Sequence, residues 1–334
     1  MEPRERENQI GREALERKIA AQIREGALGH GWLVVGGPGA GKATLACRIA
    51  RVLLDPEARR GDALDMPSDA RAFRLVAQGA HPDLFVAERR VDAKTEKVSA
   101  DIAVETIREL IGFMNRTAAF GGWRVAIVDT ADDLNRNSAN ALLKILEEPP
   151  PRSTLLLLTA APGRLLPTIR SRCRRIDLAA VAESEIAAFV EREAGVDAET
   201  AARVAAASDG RPGYALALAT GEGPDAVAAV DAFLATAAQG GDFGGVAAAL
   251  SGKAGDARWE IFRALVVERL AGAARAKAAG APGRDLDRAP APALVRAYHQ
   301  LSELLARGEG LNADRSQLVF AAGRILTRVL REAA

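Results

Sequence analysis

Residues 32–50 read "WLVVGGPGAGKATLACRIA". An apolar run enters a glycine-rich turn and leaves it as an amphipathic stretch. Gly36, Gly37, Pro38, Gly39, Ala40, Gly41 and Lys42 follow the phosphate-loop pattern G-x-x-x-x-G-K-[ST] up to its last position. A strand, a loop of that spacing and a following helix aim backbone N–H groups and a helix N-terminus at a phosphate, with the lysine against the terminal phosphates. The next position departs from the pattern: Ala43 stands where a Ser or Thr hydroxyl would hold Mg²⁺. Thr44 is a poor substitute, because the next residue on a helix points about 100° away. The stretch therefore predicts a site that keeps a phosphate cradle and holds metal poorly.

On either side of this loop the first half of the chain alternates short apolar runs with helical spacing, the pattern of an α/β sheet. A helix is expected over 12–28, strands in "GWLVVGG" (31–37), "DLFVAE" (83–88), "WRVAIVD" (123–129) and "STLLLLTA" (153–160), and a helix over 104–116. In "KATLACRIARVLL" Leu45, Ile49 and Val52/Leu53 share one helical face. Residues 55–72, rich in Asp, Arg and Pro, read as an exposed loop. In "NRNSANALLKILEEPPPRS" (135–153), Asn137 or Ser138 can cap a helix carrying Ala139, Leu142, Leu143 and Leu146, and Pro149 to Pro151 stop it. Beyond about residue 178 no strand is expected. Short Ala-rich helices fill 181–220, "TGEGPD" (220–225) reads as a linker, and the remainder is helical, broken at 278–292.

Length and composition set the bounds. The 334 residues, 49% hydrophobic and 27% charged, suffice for two or three domains with substantial cores, and the formal net charge of +1 gives no global pull toward nucleic acid or anionic membrane. Cys47 and Cys173 form no CxxC pair, which excludes a zinc ribbon and argues against disulfide stapling. No apolar run approaches the ~20 residues of a membrane span, and "MEPRERENQI" lacks the apolar core of a signal peptide. A cytoplasmic protein with no membrane partner is expected. His30, His81 and His299 lack ligand spacing, and His81 in "HPD" reads as a turn or packing residue.

A second element of the nucleotide site is the apolar strand ending in Asp129, the Walker B position and candidate metal ligand. The residue that would polarise an attacking water is Thr130, which is no general base at neutral pH. Asp132 and Asp133 read as a helix cap and a solvated face. Keeping the cradle while losing both hydrolytic groups is the pattern of a degenerate ATPase.

"NALLKILEEPP" (140–150) after the Asp129 strand, then "TLLLLT" (154–159) and "LLPTIRSRC" (165–173), resembles the clamp-loader branch of the AAA+ ATPases. "HGWLVVGGPGAGKATLACRIA" (30–50) and "GAHPDLF" (79–85) are similar to the same family's first half, and the match covers about residues 8–178. The resemblance implies a P-loop AAA+ domain over 1–178, a five-stranded parallel sheet with helices on both faces. A helical lid over 179–221 and an all-α collar over 222–334 would follow. It makes Arg172, in Ser171-Arg172-Cys173, an arginine finger acting in trans on a neighbour's ATP, where a guanidinium offers forked donors to developing γ-phosphate charge. From the residues alone, Arg170, Arg174 and Arg175 crowd the same turn and equally suit salt bridges or DNA phosphates.

Thr159 matches the sensor-1 position, though it is equally a β-branched filler. The sensor-2 position falls on Gly213, with Arg211 displaced from it, a third loss from the hydrolytic machinery. The four-cysteine zinc module of many relatives has no counterpart, since residues 48–172 contain no cysteine, so no zinc is expected. No cofactor is required by this reading, and residual ATP or ADP at the P-loop is left open. The implied partners are other clamp-loader subunits (gamma/tau and delta), the sliding clamp and primer-template DNA. The chain alone would not hydrolyse ATP but would belong to a DNA-directed DNA polymerase holoenzyme. The rival reading is an active, gamma/tau-like motor subunit. A small-molecule P-loop kinase is disfavoured by the long helical C-terminal half.

Overall fold

The structure is a computed structural model that describes residues 2–91, 97–251, 255–280, 286, 289–311 and 313–331. The chain divides into two compact units, 1–182 and 183–334. The expected collar and all but residues 179–182 of the expected lid fall within the second.

The first unit is built on five parallel strands: β1 (Gly31–Val35), β2 (Leu84–Ala87), β3 (Arg124–Val128), β4 (Ser153–Thr159) and β5 (Arg174–Asp177), ordered β2-β3-β4-β1-β5. Around them lie α1 (Glu13–Arg24), α2 (Lys42–Leu54), α3 (Arg71–Ala77), α4 (Val104–Met114), α5 (Arg136–Glu147) and α6 (Pro167–Arg170). Successive strand residues point to opposite faces, so the two-residue period divides the apolar strands between two cores. Val34, Ile127, Leu156 and Leu158 pack with Ile19 of α1 and Leu45, Ile49 and Leu53 of α2. Leu33, Val35, Val128, Leu155 and Leu157 pack with Ile107 and Leu110 of α4 and Leu142 and Leu146 of α5. Both faces are covered, which is why β1, β3 and β4 are buried along their whole length and read as continuous apolar runs.

Several expectations are corrected. The first helix ends at Arg24 rather than residue 28, because Gly26 takes φ 67° and breaks it. Residues 55–72 are not simply exposed: Leu64 and Met66 are buried, and Asp65 reaches the Arg48 guanidinium at 2.7 Å. The cap of α5 is neither Asn137 nor Ser138. Asn135 accepts from the Ser138 N–H at 2.9 Å, two residues earlier than expected. The fifth strand of the implied sheet is the arginine-rich β5, which hides its strand character because only Ile176 of "RRID" is buried.

The second unit is helical: α7 (Glu183–Ala194), α8 (Ala198–Ala207), α9 (Pro212–Leu218), α10 (Gly223–Gln239), α11 (Gly244–Ala249), α12 (Gly255–Ala278), α13 (Ala291–Gly310) and α14 (Arg315–Arg331). Its aromatic centre joins Phe233, Phe243 and Phe262, with the Phe233 ring 5.3 Å from Phe243 and 5.5 Å from Phe262, and Trp259 stacked on Phe262. "TGEGPD" is no linker but a tight turn into α10, and a Cβ on Gly223 would meet the Leu218 carbonyl at 2.2 Å. The break at 278–292 lies partly outside the described residues; α12 ends at Ala278 and α13 begins at Ala291.

Candidate functional site

The P-loop leaves β1 where Gly36 N–H donates to the Thr159 carbonyl at 3.1 Å, so the loop springs from between β1 and β4. Gly39 and Gly41 take φ 77° and 92°, conformations that favour glycine and that turn the chain sharply into α2. α2 begins at Lys42, so its N-terminal dipole and first-turn N–H groups face the loop. The Lys42 ammonium donates to the Gly36 and Gly37 carbonyls at 2.8 and 3.1 Å, bridging the loop across its mouth. Ala40 is buried, and Pro38 is exposed.

The metal side of the site is different. The Ala43 methyl lines a cavity of about 350 Å³ shared with Asp129, Glu88 and Cys47. Burial raises the Asp129 carboxyl above its ordinary range, with Lys42 pulling it down and Glu88 and Asp133 adding to the rise. Burial also pushes the Cys47 thiol up to about 11, so it stays neutral. Thr44 is buried in the first turn of α2. The cradle thus suits phosphate, but the donor set does not suit the metal that normally accompanies it, because no hydroxyl stands at position 43.

The ends of β3 and β4 are tied by a residue expected only to cap or to face solvent. Asp132 Oδ1 accepts from the Thr159 hydroxyl at 2.6 Å and the Ala161 N–H at 3.2 Å, and Oδ2 from the Ala160 N–H at 2.6 Å. The Thr130 hydroxyl lies 3.0 Å from Oδ2 and 2.8 Å from the Leu158 carbonyl, its proton shared between them. Burial alone would raise the Asp132 carboxyl, but these donors outweigh it and lower it. Thr159 therefore directs its hydroxyl at Asp132, and Thr130 is likewise engaged. Asp133, expected on a solvated face, pairs with Arg89 at 3.0 Å.

Arg172 sits elsewhere. Its carbonyl packs beside Gly31, at the start of β1, with the Cys173 sulfur nearby, whereas the P-loop leaves the strand's other end. At about 3.3 Å per residue the strand separates the two by roughly 13 Å. The guanidinium is held at that far end, Nη2 2.8 Å from Glu147 Oε1 and Nη1 donating to the Thr168 carbonyl at 3.0 Å. Of its basic neighbours, Arg174 donates to the Ala27 carbonyl at 3.1 Å and Arg175 pairs with Asp177 at 2.6 Å.

Arg211, in the second unit, pairs with Glu268 at 2.5 Å and lies over the Tyr214 ring, an internal role. His81 is buried and accepts from the Asp83 N–H at 3.1 Å, the packing role expected of it. Both cysteines are free thiols. Among the described residues no helix is long and apolar enough to cross a membrane.

A parallel sheet of this order, with a P-loop leaving β1 and an acid closing β3 two strands away, defines an AAA+ P-loop module, here followed by a helical unit. A family model described as "DNA polymerase III, delta subunit" matches residues 11–182. The chain belongs to the family of delta-prime subunits of the bacterial DNA polymerase III clamp loader. It is 32% identical to DNA polymerase III subunit delta' of Escherichia coli over 80% of this chain and 78% of that protein. With the Pseudomonas aeruginosa subunit delta' it shares 42% identity over 43% of this chain, and the match spans only 41% of that relative's length. Among solved structures, a DNA polymerase III gamma subunit-related protein from Thermotoga maritima aligns over 95% of this chain and all of its own, at 16% identity and TM-score 0.42.

Proposed function

We propose that the chain is the stator of a clamp loader: it does not turn over ATP itself and lends Arg172 to the ATP site of an adjoining subunit. The observation that carries this reading is the position of Arg172, at the opposite end of β1 from its own P-loop. A guanidinium there is of no use to the phosphate cradle of its own chain and is exposed at an edge of the domain. Ala43 and Thr130, which withhold a metal-holding hydroxyl and a water-polarising carboxylate, favour the same division of labour. In this reading the partners are gamma/tau and delta subunits, the sliding clamp and primer-template DNA, and the C-terminal helices build the collar.

The test uses the complex assembled with its gamma/tau and delta partners. Arg172→Ala should leave assembly intact and lower kcat for DNA-stimulated ATP hydrolysis with little change in KM, because the finger acts on charge that develops in the transition state. Unchanged hydrolysis would reject the reading. The intact Gly36–Lys42 cradle favours one alternative, a gamma/tau-like motor. Steady ATP turnover by the lone chain, abolished by Lys42→Ala, would establish that instead.

A further inference from the structure

The segment ahead of α1 does not trail away from the P-loop but lies against it. The Gln9 side-chain amide donates to the Gly41 carbonyl at 2.9 Å, so close that a Cβ on Gly41 would stand 2.2 Å from Gln9 Nε2. Three residues on, the Arg12 guanidinium reaches toward the Ala40 carbonyl at 3.5 Å. At the segment's other end a 3₁₀ turn over Pro3–Glu5 packs on α2 and α3. Glu2, Pro3 and Arg4 line the cavity that holds Ala43 and Asp129, and so cover the side of the loop where a nucleotide's metal would stand.

What fastens the segment is Arg51, about two and a half turns along the helix that the P-loop opens. It is 1% exposed, lies 3.7 Å from the centre of the Phe73 ring, and donates to the Arg6 carbonyl at 2.7 Å and to the Arg4 carbonyl. A buried guanidinium must find acceptors, and here two backbone carbonyls of the segment supply them.

We propose that residues 2–12 form a strap, clasped by Arg51 and latched by Gln9, that competes with nucleotide for the P-loop. Phosphate enters the cradle only when the strap lifts. The device is independent of what Arg172 does: a chain could lend its finger whether the strap is down or lifted, or hold a strap and lend nothing.

The test is made on the full-length chain with mant-ADP and magnesium as the probe. Losing the Gln9 latch removes one hydrogen bond of the closed state, so Gln9→Ala should bind mant-ADP about fivefold more tightly than the parent. Adding Lys42→Ala should abolish that gain, which locates it at the P-loop. Limited trypsin digestion gives a second readout without any substitution. The peptide bonds after Arg4 and Arg6 carry the carbonyls that Arg51 holds, so saturating ADP should speed cleavage there several-fold. Equal affinity of parent and Gln9→Ala, including no binding by either, would overturn the strap, as would bound ADP with cleavage unchanged. Failure of the stator reading is seen elsewhere, in the hydrolysis of the complex carrying Arg172→Ala.

Discussion

Asp132 receives four donors from two strand ends, and without it the Thr159 hydroxyl and the Ala160 N–H lose their acceptor, while the Ala161 N–H keeps only the Thr159 hydroxyl oxygen at 3.1 Å. Hydrogen bonds to a charged group contribute roughly 1.5–3 kcal/mol each, and partial exposure discounts them, so Asp132→Ala should cost about 2 kcal/mol by urea unfolding near pH 7. Its pH dependence has a definite sign. The folded carboxyl lies below its unfolded value, so its contribution is present above about pH 4 and is lost as acid brings the pH down through the folded pKa. The variant should therefore lose less stability than the parent as the pH falls below about 4. Equal acid sensitivity in the two proteins would assign the network no energetic role. Little local in "VDTADD" discloses this residue, because three of its four donors stand 27 to 29 positions away. Lys42 and Asp129 were legible because each sits at a fixed offset from a strand that periodicity finds unaided.

In the helical unit, α14 crosses beneath the aromatic centre on a glycine. A Cβ on Gly323 would stand 2.4 Å from the Phe243 ring, which is itself packed against Phe233 and Phe320 and cannot simply swing aside. Alanine gains up to about 1 kcal/mol of helix propensity over glycine, but overpacking a filled core costs roughly 1–3 kcal/mol. Gly323→Ala should thus be net destabilising by about 1 kcal/mol, seen as a lower urea midpoint, whereas Gly272→Ala on α12, where the nearest contact is the tip of Arg275 at 4.0 Å, should stabilise. Both glycines look alike in the sequence, since helical spacing says nothing of which neighbour a backbone approaches. The same limit explains the elements that were misplaced. β5 is charged because it closes the sheet's edge, and its strand character comes from pairing with β1 rather than from its own residues. The strands buried on both faces, β1, β3 and β4, were legible as uninterrupted apolar runs.

The two ends of β1 set apart the chain's two candidate roles, one for its own nucleotide and one for another's, and substitutions at each should have unlike consequences in an assembled loader. Lys42→Ala alters only the cradle of this chain, so DNA-stimulated hydrolysis by the complex should stay within about twofold of the parent, the scale of a lost surface contact. Arg172→Lys keeps the charge but gives up the planar fork that meets two oxygens at once. Its kcat should fall nearly as far as that of Arg172→Ala, on the order of the 10³-fold or more that such fingers contribute in GTPases. Glu147, which holds the guanidinium at 2.8 Å, offers an intermediate case. Glu147→Gln keeps the side-chain shape but releases the charge pair, so the finger should still work while being less well oriented, with kcat reduced several-fold and salt dependence weakened. A complex indifferent to position 172 but disabled by Lys42→Ala would invert the assignment, because hydrolysis would then pass through this chain's own loop.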